Sequence, residues 1–96
     1  MYASVRRYRG MAPNAVDQIK QRRQEFEPLL RGVPGFQAWY MIRTNEGMIT
    51  VTLCDEQTGA EESVRVAGDY IRRSIPDLVP NPPDVANGEV AVDISG

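Results

Sequence analysis

The stretch from Val33 to Cys54 constrains the fold of this chain more than any other, because it combines the densest apolar run with the clearest turn. Residues 36–43 are rich in aromatic and branched side chains, and residues 48–54 alternate apolar residues with threonine. Residues 44–47 (TNEG) lie between them and have turn-forming chemistry, with a final glycine suited to positive φ. The pattern predicts a β-hairpin.

The first strand of this hairpin is apolar on both of its faces. Alternation places Phe36, Ala38, Tyr40 and Ile42 on one side and Gln37, Trp39, Met41 and Arg43 on the other. Neither face is polar enough to be exposed to solvent, so other structural elements must cover both faces of the strand. One short chain must supply both covers or recruit a partner.

Two further strands are predicted near the ends of the chain. Residues 2–9 form the first strand, closed by Gly10, and residues 89–95 form the last. Alternation along the first strand puts one set of side chains on a common face: Tyr2, Ser4, Arg6 and Tyr8. Because this strand is rich in arginine, we expect its charged end to lie near an edge or rim of the sheet.

The first helix is predicted to begin at Asn14, which has the residue type of an N-cap. Its apolar stripe consists of Val16, Ile19, Phe26 and Leu30. Pro28 interrupts the pattern, since it lacks the N–H that a helix needs. We therefore expect a kink near Gln24 or an end near Glu27.

The second helix follows the hairpin. Thr58 and Glu61 have the spacing of a capping box, and Pro76 ends the helix. Apolar residues recur between them at helical spacing: Val64, Val66, Ala67, Tyr70, Ile71 and Ile75. The proline-rich residues 76–83 are predicted to cross the surface in an extended conformation.

The order strand, helix, strand, strand, helix, strand predicts the ferredoxin-like α+β fold. Right-handed crossovers place the four strands in one antiparallel sheet with both helices on one face. Residues 1–96 suffice for a single domain of this kind. The other sheet face would be left bare and apolar, so we expect a homodimer that buries more than about 1,000 Å² through it.

Composition limits the classes of partner and cofactor. A net charge of -2 gives no excess positive field for nucleic acid. No apolar run approaches the length of a membrane span and no signal segment is visible, so we expect a cytoplasmic protein with no membrane partner. With no histidine and a single cysteine, Cys54, we expect no metal, haem or flavin cofactor.

Several short segments together give the chain a resemblance to a known family. They are Gly35-Phe36, Trp39-Tyr40, Arg43, Gly47, Thr50-Val51-Thr52, Gly59, Glu62-Ser63 and Gly88-Glu89-Val90. In this pattern the chain resembles small bacterial members of the antibiotic-biosynthesis-monooxygenase-like group of the dimeric α/β-barrel superfamily. The resemblance implies two sheets packed face to face across a dimer, with a pocket between each sheet and its helices. Some members oxidise phenolic polyketides with dioxygen and no cofactor, and others degrade haem with an axial histidine, which this chain lacks.

Five residues are candidates for such a site. Trp39 is expected to line the pocket or stack on an aromatic ligand, and Arg43 to orient an enolate oxygen as the second catalytic candidate. Tyr40 and Tyr70 could donate hydrogen bonds to a phenolic substrate, and Asn14 matches an asparagine of some relatives in type. Each also has a plain structural explanation: packing for the aromatic residues, an exposed strand end for Arg43 and a helix cap for Asn14.

The sequence therefore supports three alternative functions. The first is a cofactor-independent monooxygenase acting on phenolic or polyketide-like aromatics. The second is a dimer that binds a small aromatic ligand without turnover, and the third is a structural dimer whose pocket is filled by its own side chains. A cavity beside Trp39 with convergent polar groups would favour the first two, whereas a packed apolar core would favour the third.

Overall fold

The computed structural model describes all 96 residues and contains four strands and three helices. In chain order they are β1 (Tyr2–Arg9), α1 (Ala15–Gln21), α2 (Arg23–Arg31), β2 (Phe36–Arg43), β3 (Gly47–Cys54), α3 (Gln57–Ser74) and β4 (Asp84–Glu89). The strands form one antiparallel sheet in the order β2-β3-β1-β4, so β1 and β3 are central. The predicted ferredoxin-like α+β fold is confirmed. No helix here combines the length and the apolar character that a membrane crossing requires.

The predicted hairpin is confirmed, with β2 and β3 paired along their length. Gly47 has φ 156°, and a side chain there would collide with the carbonyl oxygen of Tyr8 on the neighbouring strand. Glycine therefore serves two needs at this position, the backbone conformation and the close approach of β1. The Gly47 N–H also donates to Thr44 Oγ1 at 3.1 Å, which closes the turn.

A β-bulge changes the face that Phe36 occupies. The pairing of β2 with β3 is regular beyond Ala38 but shifts between Phe36 and Ala38. The extra residue turns Phe36 to the helix side, where it packs against the core together with Trp39. The prediction that Phe36 shares a face with Tyr40 and Ile42 is therefore wrong.

The first predicted helix is divided at Arg22 into α1 and α2. The break lies two residues before the kink expected near Gln24, and Pro28 is accommodated inside α2. At the break the Arg22 N–H bonds to the Ile19 carbonyl at 2.9 Å, a tighter turn than an α-helix makes. The change of direction lets both helices contribute to one core.

Neither predicted helix cap forms. Asn14 precedes α1, but its backbone is left-handed (φ 60°) and its side chain makes no capping bond. A capping side chain needs an extended backbone at its own residue, which Asn14 lacks. Glu56 precedes α3, so Thr58 lies inside the first turn rather than ahead of it, and no side-chain cap forms there either.

The predicted last strand is wrong in its position. β4 pairs with β1 so that Glu89 lies opposite Tyr2, which places residues 90–96 beyond the paired part of β1. These residues have no regular structure, and Val92 and Ile94 are 74% and 93% exposed. The Val90 N–H still bonds to the Met1 carbonyl at 2.9 Å, but β1 does not extend far enough to pair with the residues after it, so their alternation alone could not make a strand.

The helices cover one face of the sheet and leave the other bare. The core lies under the helices and comprises Tyr8, Val16, Ile19, Phe26, Leu30, Met48, Ile75 and Val79. The opposite side, called the open face below, carries two cross-strand rows of side chains: Tyr40, Val51 and Val5, then Ile42, Ile49 and Arg7. Tyr40 and Ile42 are 55% and 48% exposed.

Candidate ligand-binding site

The helix-facing side of the two central strands is polar at its middle. Ser4 and Arg6 of β1 stand opposite Thr52 and Thr50 of β3, and Ser63 of α3 contributes a third hydroxyl position above them. All five residues are 3% exposed or less. β1 is a central strand, so the expectation that its charged end lies near an edge or rim does not hold for Arg6, which is buried.

Arg6 is held by three hydroxyl groups. Its Nε donates to Thr50 Oγ1 at 3.0 Å, and its terminal nitrogens donate to Thr52 Oγ1 at 3.0 Å and to Ser63 Oγ at 3.3 Å. A guanidinium carries five N–H groups, of which these bonds use three, and Tyr8 is a further side-chain hydrogen-bond partner of Arg6. Arg6 also takes part in none of the ion pairs of the chain.

The charge of Arg6 is not neutralised inside the protein. Burial lowers the pKa of Arg6, and the neighbouring Tyr8 and Cys54 groups oppose that change. Burial raises the pKa of Tyr8, against the effect of Arg6, and it also raises the pKa of Cys54, with help from the charge of Asp55. Both groups are therefore uncharged at neutral pH, whereas arginine stays protonated.

An apolar cavity of about 50 Å³ lies between the sheet and the helices, and Arg6 forms part of its wall. Thirteen of its fifteen lining residues are hydrophobic, and the other two are Arg6 and Thr50. Three aromatic rings line one side: Phe26 lies 5.3 Å from Trp39 and 5.7 Å from Tyr70, measured between ring centroids. The cavity thus combines an aromatic wall with a single cationic group.

A wider groove of about 620 Å³ adjoins the cavity and runs between α2 and the edge strand β2. Four side chains line both spaces and form the wall between them: Phe26, Leu30, Trp39 and Met41. Arg23 and Arg31 border the groove, and Glu27 pairs with them at 2.6 and 2.9 Å. The charges of Arg23 and Arg31 are therefore neutralised by an ion pair at the surface, whereas the charge of Arg6 is not.

Two polar atoms near this wall are buried without a hydrogen-bond partner, Trp39 Nε1 and Ser4 Oγ. A buried donor left unpaired costs about 1–3 kcal/mol. A ligand acceptor beside Trp39 would recover part of this cost.

Trp39 and Tyr70 are the two predicted site residues that the structure brings to the cavity. The Tyr70 hydroxyl points away from it and donates to Glu25 Oε1 at 2.8 Å, which ties α3 to α2. Burial, followed by the bond to Glu25, raises the pKa of Tyr70 to about 12. Tyr70 therefore offers the cavity its ring and not its hydroxyl.

The other three predicted residues lie elsewhere. Arg43 pairs with Asp17 at 2.6 Å, and this bond holds the pKa of that carboxyl below its usual range. Asn14 borders the same shallow hollow as Arg43, beside the turn that joins β2 to β3. Tyr40 lies on the open face. None of the three lines the cavity.

Arg6 is the residue that sequence reasoning missed. Alternation places Arg6 on one face with Ser4 and Tyr8, and Arg7 on the other with Ala3 and Val5. Since each face of this strand carries an arginine, the sequence pattern alone does not show which of the two is buried.

Comparison with known proteins identifies relatives by fold only. No family model matches the sequence, and no curated protein matches it. Among solved structures, the haem degrader MhuD from Mycobacterium tuberculosis, with two haems in its active site, has a TM-score of 0.73 at 12% identity, over 99% of this chain and 100% of that one. A monooxygenase from the gene ActVA-Orf6 of Streptomyces coelicolor, in complex with nanaomycin D, has a TM-score of 0.66 at 13% identity, over 99% and 90%.

A third structure, a protein of unknown function from Nitrosomonas europaea, has a TM-score of 0.69 at 15% identity, over 99% of this chain and 94% of that one. At these identities the similarity shows the fold alone. The resemblance predicted from the sequence is confirmed at that level.

Proposed function

We propose that this protein binds a small aromatic molecule between its sheet and its helices, beside Trp39. The observation that carries the proposal is the cavity, in which the rings of Phe26, Trp39 and Tyr70 face a wall containing Arg6. An apolar lining with very few polar groups is the usual composition of a small-molecule site. Two proteins of the same fold hold haem and nanaomycin D, which supports a ligand of this size class.

The cavity must open to admit an aromatic ring. Its volume of about 50 Å³ is well below the roughly 150 Å³ of an engineered apolar cavity that binds benzene in another protein. Phe26, Leu30, Trp39 and Met41 line both the cavity and the wider groove, and a movement of the Phe26 and Trp39 rings would join the two spaces. Ligand binding is therefore expected to change the surroundings of Trp39.

Fluorescence tests the proposal, because Trp39 is the only tryptophan of the chain. Titration with anthraquinones and anthrone should quench its emission in a saturable manner. Ala67→Phe places a ring in the cavity and is expected to weaken binding at least about tenfold, which is 1.4 kcal/mol. Ala91→Phe, in the exposed segment after β4, is the matched control and should leave binding unchanged.

Two outcomes would contradict this. Absence of saturable quenching across the panel would remove the binding function. Equal affinity of the wild type and Ala67→Phe for the ligand would show that it binds outside the cavity.

Cofactor-independent oxidation is a second candidate, and the positive charge in a nearly apolar cavity favours it. A phenolic substrate held as its anion is electron-rich enough to reduce dioxygen without a cofactor. For anthrone, one oxygen atom would become the new carbonyl oxygen, and the other would leave as water with the two hydrogens of the methylene group. Oxygen uptake that depends on the protein would support this reaction, whereas quenching without uptake would leave a binding protein.

We propose further that two copies of the chain pack through their open faces. The largely apolar rows centred on Val51 and Ile49 support this, since the chain has helices for the other face only. Val5→Asp is expected to dissociate the dimer, because a symmetric interface would bury two unpaired aspartates. Val85 pairs with Arg6 and so lies on the helix side, with exposure close to that of Val5, 44% against 36%.

Val85→Asp is therefore the control and should leave the dimer intact. Light scattering measures the oligomeric state of both variants and of the wild type. A monomeric wild type at micromolar concentration, or dissociation by both substitutions alike, would contradict the proposed interface.

A further inference from the structure

We infer that the guanidinium of Arg6, which has no counter-charge within the protein, forms an anion site in the wall of the cavity, for the carboxylate or the deprotonated hydroxyl of an aromatic acid. The inference rests on the proposed function for the aromatic part of the ligand. It adds the charge of that ligand and the residue that selects it.

The first argument is the absence of a counter-charge. The groups that face Arg6 from β1, β3 and α3 are Tyr8, Thr50, Thr52 and Ser63, and all are neutral. Hydroxyl acceptors offset only part of the cost of removing a guanidinium from water. An arriving anion would supply the missing negative charge. Its attraction to the Arg6 guanidinium would offset the free energy that the anion loses when it leaves water.

A second copy of the chain cannot provide that charge. Arg6 points to the helix side of the sheet, and the open face lies on the opposite side. The partner proposed above would therefore cover Val5 and leave Arg6 unchanged. The open space that Arg6 borders on the helix side is the cavity.

The second argument is preorganisation. Bonds from two strand hydroxyls and one helix hydroxyl fix the guanidinium plane before any ligand arrives. A planar guanidinium that is already fixed in place binds a carboxylate or phenolate oxygen with little further loss of side-chain freedom.

The lining of the cavity selects the class of anion. Apart from Arg6 and Thr50 the walls are hydrophobic, so a small, strongly hydrated ion would lose its water and gain one contact. An aromatic acid places its ring against Phe26 and Trp39 while its oxygen meets Arg6. The positive group predicted from the sequence at Arg43 is thus replaced by one on a different strand.

A matched pair of ligands tests the inference: anthraquinone-2-carboxylate and its neutral amide, each titrated against the fluorescence of Trp39. The wild type is expected to bind the carboxylate at least about tenfold more tightly than the amide. Arg6→Gln should abolish that preference while still binding the amide, and Arg6→Lys, which keeps the charge, should retain part of it. Circular dichroism confirms that each variant is folded.

The outcomes separate the two proposals. Equal binding of both compounds by the wild type, or a preference that survives in Arg6→Gln, would overturn the anion site while the aromatic site stands. If neither compound binds, both proposals fall.

A measurement on the wild type alone covers the case in which Arg6→Gln does not fold. The phenolate of 2-hydroxyanthraquinone absorbs at longer wavelength than the phenol, so its ionisation can be followed in the bound state. A cation beside the oxygen favours the phenolate and should hold the pKa of the bound compound at least about one below its value in water. An unchanged or raised pKa would overturn the inference.

Discussion

Replacing Gly59 by alanine is expected to remove a large part of the stability of this protein, whereas the same change at Gly68 should increase it. Gly59 lies in the first turn of α3, where a Cβ would collide with the Pro34 carbonyl oxygen and lie 3.0 Å from the Cβ of Cys54. A backbone oxygen cannot move aside as the end of a side chain can. Overpacking of this kind costs about 1–3 kcal/mol and occasionally more, against the roughly 5–15 kcal/mol that stabilises a typical domain.

Gly68 is the matched control because it lies in the same helix. A Cβ there meets only the guanidinium end of Arg72, at 3.1 Å, and that side chain is exposed and flexible. Alanine in a helix interior is favoured over glycine by about 1 kcal/mol. Urea unfolding measures both variants, and equal changes in the free energy of unfolding would contradict the close approach of α3 to residue 34.

Removal of the Phe26 ring is expected to have the second large effect. Phe26 is 8% exposed and contacts both Trp39 and Tyr70. Truncation of a buried phenylalanine to alanine costs about 3–5 kcal/mol. The same change would also open the wall between the cavity and the groove, so Phe26→Ala should bind anthraquinone-2-carboxylate faster in conditions where it is folded.

Leu29→Ala provides the comparison for stability, since Leu29 lies in the same helix and is 46% exposed. Its cost should be below about 1.5 kcal/mol, because little additional apolar surface is lost. Urea unfolding gives the stabilities and stopped-flow fluorescence the association rates. Equal costs for the two variants, or an unchanged rate in Phe26→Ala, would contradict the role assigned to the ring.

The local parts of the fold could be predicted from the sequence. Alternation, turn chemistry and helical periodicity are set by neighbouring residues, and they correctly indicated the hairpin, the strands and helices up to residue 75, and their ferredoxin-like order. The bulge beside Phe36 and the break at Arg22 were not predictable in the same way, because each is a compromise between a local pattern and the packing of distant elements. The segment after β4 shows the same limit, since a strand also requires a partner in register.

The candidate site depended on tertiary placement. Trp39 and Arg43 share a face by alternation, but four residues of strand separate them by about 13 Å, so Arg43 lies beyond the cavity. The sequence pattern places the charged end of the first strand near an edge or rim of the sheet. The ferredoxin-like order puts this strand at the centre, but each of its faces carries an arginine, so only the tertiary packing shows that Arg6 is buried and Arg7 is exposed.

A crystal structure with anthraquinone-2-carboxylate bound would test the assignment of the ligand site most directly. We expect the rings of Phe26 and Trp39 to have moved apart, with the ligand between them. At least one carboxylate oxygen should lie about 2.7–2.9 Å from a terminal nitrogen of Arg6. A ligand found only in the outer groove or on the open face, with Arg6 bonded to the three hydroxyls alone, would contradict it.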